Sequence, residues 1–423
     1  MLRRPLPRSG LAILLVAPLL GLVGPATTPA SAASATVEDT GAEIILVERV
    51  GLDLAALDPG HLALVEVAAD GSHRREIAVP AGVRTLVEAG KVTDVVALPG
   101  GEELVLSFAT GTGIVTTIEL LEIASGRRTE LATGCGRRVS VDADGEQLAY
   151  LQFDPTDQLC HAAVLSLTSS AEPLVTPARD DEIFDEYAVI APDGRGVYRL
   201  VRSLNEFDST LNRIVYWDLA TGDRTILASG DLVQFEIDEP GADQVITGVT
   251  VTDWFLYDVA PDGSALVTRQ VTTSSNSPTQ PFTVETTTGT LGLDRNLSAI
   301  DVLVAGDQRT AQGGVYGVLR MSPQGDRLLA TFGNTLPEFD FQTVYVRPVH
   351  GSSVDWRAVP DLGWVGIPSW GSTATATPPV IFLPGLLGSE LWCDPSAGSP
   401  VWPALGVSES FVQLQADGET NAS

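Results

Sequence analysis

From residue 42 to residue 365 the sequence alternates short apolar stretches with small polar turns, and the turns are of two kinds. The first places Pro or Asp beside Gly immediately before an apolar strand. It occurs at Pro99-Gly100-Gly101 ahead of Leu104-Val105-Leu106, and at Asp144-Gly145 ahead of Leu148-Ala149-Tyr150. It recurs at Pro192-Asp193-Gly194, at Pro261-Asp262-Gly263 and at Pro323-Gln324-Gly325, each again followed by an apolar run. Gly at such a tip supplies the positive φ of a tight hairpin. The second kind follows as strand, polar turn, strand. Its clearest copy is Val215-Tyr216-Trp217-Asp218-Leu219-Ala220-Thr221-Gly222-Asp223-Arg224-Thr225-Ile226-Leu227. Others are centred on Ser125-Gly126, Ser169-Ser170, Thr287-Thr288-Gly289 and His350-Gly351-Ser352, with a less regular early copy at Asp70-Gly71.

Two hairpins per repeat make a four-stranded sheet. One such sheet cannot bury both of its faces, whereas a ring of them packs face to face around an axis. Six sheets over residues 42–365 have about 54 residues each. The predicted fold class is therefore all-β, a six-bladed β-propeller, with residues 43–50 adding a strand to the last blade to close the ring. A seven-bladed ring stays open as an alternative, because the long interval from Gly194 to Gly263 has room for a degenerate unit. The Pro-Asp-Gly hairpins resemble the TolB-type propeller repeat and, through Trp217-Asp218, the broader WD-type blades. That resemblance implies a fold and leaves function open, since propellers bind, scaffold and catalyse.

Composition narrows the setting. The chain has 423 residues, 54 acidic and 25 basic, and a net charge of −29. This balance excludes nucleic acid as a partner and disfavours an anionic membrane surface. Residues 1–35 read as a secretory signal peptide: Arg3, Arg4 and Arg8, then an apolar stretch over 11–23, then small residues with candidate cleavage sites at Ala30-Ser31-Ala32 and Ala33-Ser34-Ala35. The mature chain is expected to be secreted, with no membrane-spanning segment left after cleavage.

Three cysteines stand at 135, 160 and 393. Blade geometry predicts a disulfide between Cys135 and Cys160, because both sit in connections on one face of the ring; three reduced cysteines are the other reading. Of the four histidines, His61, His73, His161 and His350, none has metal-ligand spacing, so no metal and no cofactor are expected. The acidic run Asp180-Asp181-Glu182-Ile183-Phe184-Asp185-Glu186 is open to two readings, a cation site or a solvated loop.

After residue 365 the composition changes. Residues 366–379 form a linker of small residues and prolines, followed by Val380-Ile381-Phe382-Leu383-Pro384-Gly385-Leu386-Leu387-Gly388-Ser389-Glu390-Leu391-Trp392. A continuous apolar strand ending in a glycine-punctuated turn suits a central strand covered on both faces. This run resembles the opening of the lecithin:cholesterol acyltransferase family of α/β-hydrolases. The resemblance implies that residues 380–423 begin a lipid-acting domain, with the Leu386 N–H as an oxyanion donor. It further implies Gly385 and Gly388 as the tight turn beside substrate, and Trp392 and Trp402 in a lid-like loop that meets lipid. Cys393 would belong to a lid disulfide. No Gly-x-Ser-x-Gly occurs in the chain and no histidine follows Leu386, so the triad is missing and this chain alone is expected to be inactive. The sequence then reads as the N-terminal portion of a secreted acyltransferase or lipase whose full-length form acts on a lipid or ester. The alternatives are a propeller module that binds a protein, glycan or cell-envelope component, and a fragment of a prolyl-oligopeptidase-like peptidase.

Overall fold

The computed structural model describes residues 43–50, 60–110, 115–135, 138–177, 181–204, 210–237, 246–276, 282–300, 318–331, 344–351, 355–359, 368–371, 391–392 and 400–402. The signal-peptide reading and most of the hydrolase-like tail lie outside these residues. The described residues are almost all in antiparallel strands, in a propeller-like arrangement. One helix occurs among them, α1 (Ala81–Glu88), which buries Val83 and Val87 one turn apart. It is not long and apolar enough to cross a membrane.

The strands form successive antiparallel meanders, most of them four-stranded. The first contains β1 (Glu43–Val50), β2 (His61–Ala68) and β3 (Arg75–Glu76). The second runs β4 (Val92–Ala97), β5 (Glu103–Ala109), β6 (Val115–Glu122), β7 (Arg128–Cys135). The third runs β8 (Ser140–Val141), β9 (Gln147–Asp154), β10 (Leu159–Ser166), β11 (Leu174–Val175). A single bridge, Gly134 to Gln152, joins it to its predecessor. The fourth is β12 (Phe184–Ile190), β13 (Gly196–Leu204), β14 (Thr210–Asp218), β15 (Arg224–Ser229).

The fifth sheet has five strands: β16 (Asp231–Ile237), β17 (Ile246–Val259), β18 (Ala265–Ser275), β19 (Phe282–Leu291) and β20 (Leu297–Ala299). The sixth is β21 (Val318–Met321), β22 (Arg327–Thr331), β23 (Val344–Pro348), β24 (Arg357–Ala358).

Closure differs from the sequence expectation. Ser369–Trp370, inside the stretch read as linker, form β25 and pair with Ile45 and Ile44 of β1. The late strand thus completes the first sheet, and residues 43–50 are the second strand of that sheet rather than an addition to the last one. The interval between Gly194 and Gly263 holds β16, which pairs with residues Ile246 to Thr252 of an unusually long β17. Thr287-Thr288-Gly289, expected as a turn, lie inside β19. Their β-branched side chains suit a strand, and the turn falls instead at Gly292–Asn296, where Arg295 has a φ of 67°.

The core follows from strand periodicity. Successive residues of a strand point to opposite faces, so each sheet contributes to two hydrophobic layers. Ile44 and Leu46 of β1 pack with Leu329 and Val344 of the sixth sheet, while Ile45 and Val47 pack with Leu104 and Leu106 of the second. Val105 and Ile118 continue to Leu148 and Tyr150 of the third sheet, and Ala149 and Leu151 to Ala188 and Ile190 of the fourth. Val189 and Leu200 then meet Leu256 and Val267 of the fifth, and Leu266 meets Leu319 and Leu328 of the sixth. The layers return to their starting point.

Candidate functional site

Hydrogen bonds link one strand of each sheet, or the residue beside it, to the next sheet in order. Asp94 Oδ2 on β4 accepts from Val139 N beside β8 at 2.9 Å. Ser140 Oγ on β8 accepts from Ile190 N on β12 at 2.8 Å. Tyr187 Oη on β12 donates to Tyr257 O on β17 at 2.9 Å, and Asp258 Oδ2 accepts from Met321 N on β21 at 2.9 Å. Arg320 on β21 donates to Ser369 Oγ on β25 at 3.1 Å. Arg320 also donates to both carboxylate oxygens of Asp94.

The charges here are buried and opposed. Burial pushes the Asp94 and Asp258 carboxyls up, against the pull of Arg320 and Arg138. Burial likewise raises Tyr187, which keeps its hydroxyl neutral and able to donate.

Beside this network lies a cavity of about 350 Å³. Its apolar lining comes from Leu151 of β9, Leu200 of β13, and Phe255 and Leu256 of β17. Its polar groups are Arg138, Glu186, Tyr187 and Tyr257. Arg138 Nη1 donates to Tyr187 Oη at 3.0 Å, with its guanidinium carbon 4.8 Å from the ring centre. Glu186 is already neutralised, because it accepts from Arg202 Nε at 2.9 Å.

Two β-bulges build this site. The pairing of β12 with β13 skips Glu186, and that of β17 with β18 skips Tyr257. An extra residue in one strand leaves the ladder and re-aims its side chain. Both skipped residues line the cavity. Nothing in the local sequence marks a bulge, so Arg138, Tyr187 and Tyr257 were not singled out from the sequence, and Glu186 was read only as part of the acidic run.

The acidic run after residue 180 fits neither a cation site nor a solvated loop. Asp181 meets Arg213 at 2.8 Å, and Glu182 meets Arg199 at 2.9 Å and also Arg224. Asp185 meets Arg199 at 2.7 Å and accepts from Ala162 N. Sequence proximity put the carboxylates together, but the arginines come from β13, β14 and β15.

Cys135, the last residue of β7, and Cys160, in β10, form a disulfide with Cα atoms 6.2 Å apart. Next to it, one ligand atom each of Asp154, Asp157 and His161 come within 4.8 Å of one another. Sequence spacing alone missed this group; its signal, Asp-x-x-Asp-x-x-x-His across a hairpin, becomes visible once the turn after Asp154 is placed. Leu386, Gly385, Gly388 and Cys393 lie outside the described residues. Trp392 and Trp402 fall on β26 (Leu391–Trp392) and β27 (Pro400–Trp402), an antiparallel pair in which Leu391 faces Trp402.

No protein-family model matches the sequence, and no curated protein matches it. Similar solved structures include TolB from Acinetobacter baumannii, 12% identical, covering 79% of this chain and 68% of that one with a TM-score of 0.46. A TolB-like protein from Agrobacterium tumefaciens is 14% identical, covering 76% of this chain and 89% of its own, with a TM-score of 0.43. The β-propeller domain of the Trilobed protease from Pyrococcus furiosus is 10% identical, covering 75% and 94%, with a TM-score of 0.36. These likenesses are of architecture alone, and it is the chain's own strand pairing and closed core layers that make it a propeller-like protein.

Proposed function

We propose that this chain is an exported, six-bladed propeller recognition module that binds its ligand in the cavity beside Arg138. The six meanders and the β25–β1 pairing support the blade number. The observation that carries the binding reading is the cavity itself. Its room suits a small ligand or the end of a larger one, and its lining combines apolar side chains with convergent polar groups. Arg138 is the cation that lines the cavity, and its charge also acts on the buried Asp94 and Asp258. A carboxylate on an apolar stem, as an envelope or extracellular component would present it, is the ligand class that a cation beside leucine and phenylalanine side chains suits.

The test uses hexanoate as the probe and hexylamine as its cationic counterpart. Hexanoate raises the melting temperature of the full chain, as a ligand of the native state must, and hexylamine at equal concentration does not. Leu200→Trp, which fills the cavity, removes the shift. Equal shifts from both probes, or a shift that survives Leu200→Trp, would refute the proposal.

A second reading is favoured by the density of the sequence run from Pro379 to Leu391: the propeller accompanies a lipid-acting α/β-hydrolase. It requires an in-frame Gly-x-Ser-x-Gly, then Asp and His, in the gene beyond codon 423. Without them the reading fails.

A further inference from the structure

The hairpin between β9 and β10 gathers two carboxylates and an imidazole on one face of the sheet. His161 pairs with Gln152 across the ladder, and Asp154, two residues further along β9, leaves on the same side as Gln152. Gln158, at a φ of 63°, closes the turn and its backbone N–H bonds to Asp154 O at 2.9 Å. The turn presents Asp157 back to the ring, so that His161 Nε2 and Asp157 Oδ2 are 2.9 Å apart.

The carboxylates are held by backbone on one oxygen only. Thr156 N donates to Asp154 Oδ1 at 2.7 Å, and Leu159 N donates to Asp157 Oδ1 at 2.8 Å. The other Asp157 oxygen meets His161 Nε2, and one ligand atom of Asp154 lies within 4.8 Å of ligand atoms of both Asp157 and His161. The disulfide at Cys160 ties the residue before His161 to β7.

The charge balance at this hairpin is unlike that of the other acidic group. Asp181, Glu182, Asp185 and Glu186 each meet an arginine. Among the described residues no arginine or lysine meets Asp154 or Asp157, and His161 is their one basic neighbour. Two adjacent carboxylates without a cation repel each other, and a bound cation removes that cost. The His161 side chain is only 14% exposed, so its ring is fixed rather than free to swing away.

We propose that Asp154, Asp157 and His161 form a binding site for a first-row divalent transition metal, with Zn²⁺ as the best-fitting member. One imidazole nitrogen with two carboxylate oxygens is a mixed donor set that suits Zn²⁺, whereas Ca²⁺ and Mg²⁺ prefer oxygen alone. The metal takes the place of the proton shared by His161 Nε2 and Asp157 Oδ2. Three protein ligands leave a coordination position for water or a partner's group.

The full chain, stripped with a chelator, is titrated with Zn²⁺ by calorimetry. One equivalent binds, and His161→Ala and Asp154→Asn each weaken binding about tenfold or more, since even residues behind a metal's direct ligands are worth that much. Ca²⁺ binds far more weakly than Zn²⁺. Loading with Co²⁺ gives a visible absorption band that His161→Ala alters, which reads nitrogen ligation directly. Melting of the metal-free variants separates a folding defect from a lost ligand. Unchanged Zn²⁺ affinity in both variants, Ca²⁺ affinity equal to that for Zn²⁺, or a Co²⁺ spectrum indifferent to His161→Ala would each overturn the proposal.

Discussion

Arg320 on β21 holds both carboxylate oxygens of Asp94 on β4, at 2.9 and 3.1 Å, across 226 residues of sequence. Both side chains are buried, and the pair ties the sixth sheet to the second past the first. Removing one partner strands a charge in a dry interior. Asp94→Ala is expected to cost about 3–5 kcal/mol in urea unfolding, while Asp94→Leu with Arg320→Met costs much less than either change alone. A double variant as unstable as the sum of its parts would show that the pair is not coupled.

Alkaline pH is expected to unfold the protein through its tyrosines. Burial pushes Tyr150 up to about 12 and also raises Tyr187 and Tyr198. A group whose folded value is raised contributes stability that is fully present below its unfolded value, about 10 for tyrosine, and is lost as the pH rises through the folded value. For Tyr150 that window runs from about 10 to about 12. Ultraviolet titration should show the tyrosinate signal of these residues appearing together with the loss of structure. Tyr150→Phe should move the alkaline midpoint upward.

The disulfide closes a loop of 25 residues that spans β8 and β9. Closing a loop of this size restricts the unfolded chain, so replacing Cys135 and Cys160 together by serine should cost about 2–4 kcal/mol. Thermal melts with and without reductant check it; the double serine variant should be insensitive to reductant.

Two tip glycines separate conformational strain from crowding. Gly145 and Gly222 have φ of 74° and 75°. A Cβ on Gly145 would sit 2.7 Å from Pro99 Cδ of the preceding sheet's turn, whereas nothing lies within 4 Å of one on Gly222. Gly222→Ala should cost about 1 kcal/mol from backbone strain alone, and Gly145→Ala about 2–3 kcal/mol. Equal melting temperatures for the two variants would contradict the packing of the Asp144-Gly145 tip on Pro99.

These contrasts show what a sequence can carry. The tips at Gly145, Gly194, Gly263 and Gly325 were legible because a positive φ is a local demand that only a few residues meet. The four-stranded units followed from them. That residues 43–50 take part in closure was legible, but their partner was not, since β25 is two residues long and finds β1 across more than three hundred residues. The hairpin of β16 on β17 was not legible either, because an extended strand continues the same pattern that a new blade would show. The cavity depends on bulges at Glu186 and Tyr257 and on an arginine, Arg138, from the connection between β7 and β8. Asp154, Asp157 and His161 are close in sequence, yet they converge only through the geometry of one turn.

The recognition reading is tested most directly by calorimetric titration of hexanoate into the full chain and into Arg138→Met, with both proteins shown to be equally folded. The expected result is binding to the unaltered chain that weakens about tenfold or more in the variant, the worth of one hydrogen-bonded charge. Equal affinity in the two proteins would contradict the assignment of the cavity beside Arg138 as the binding site.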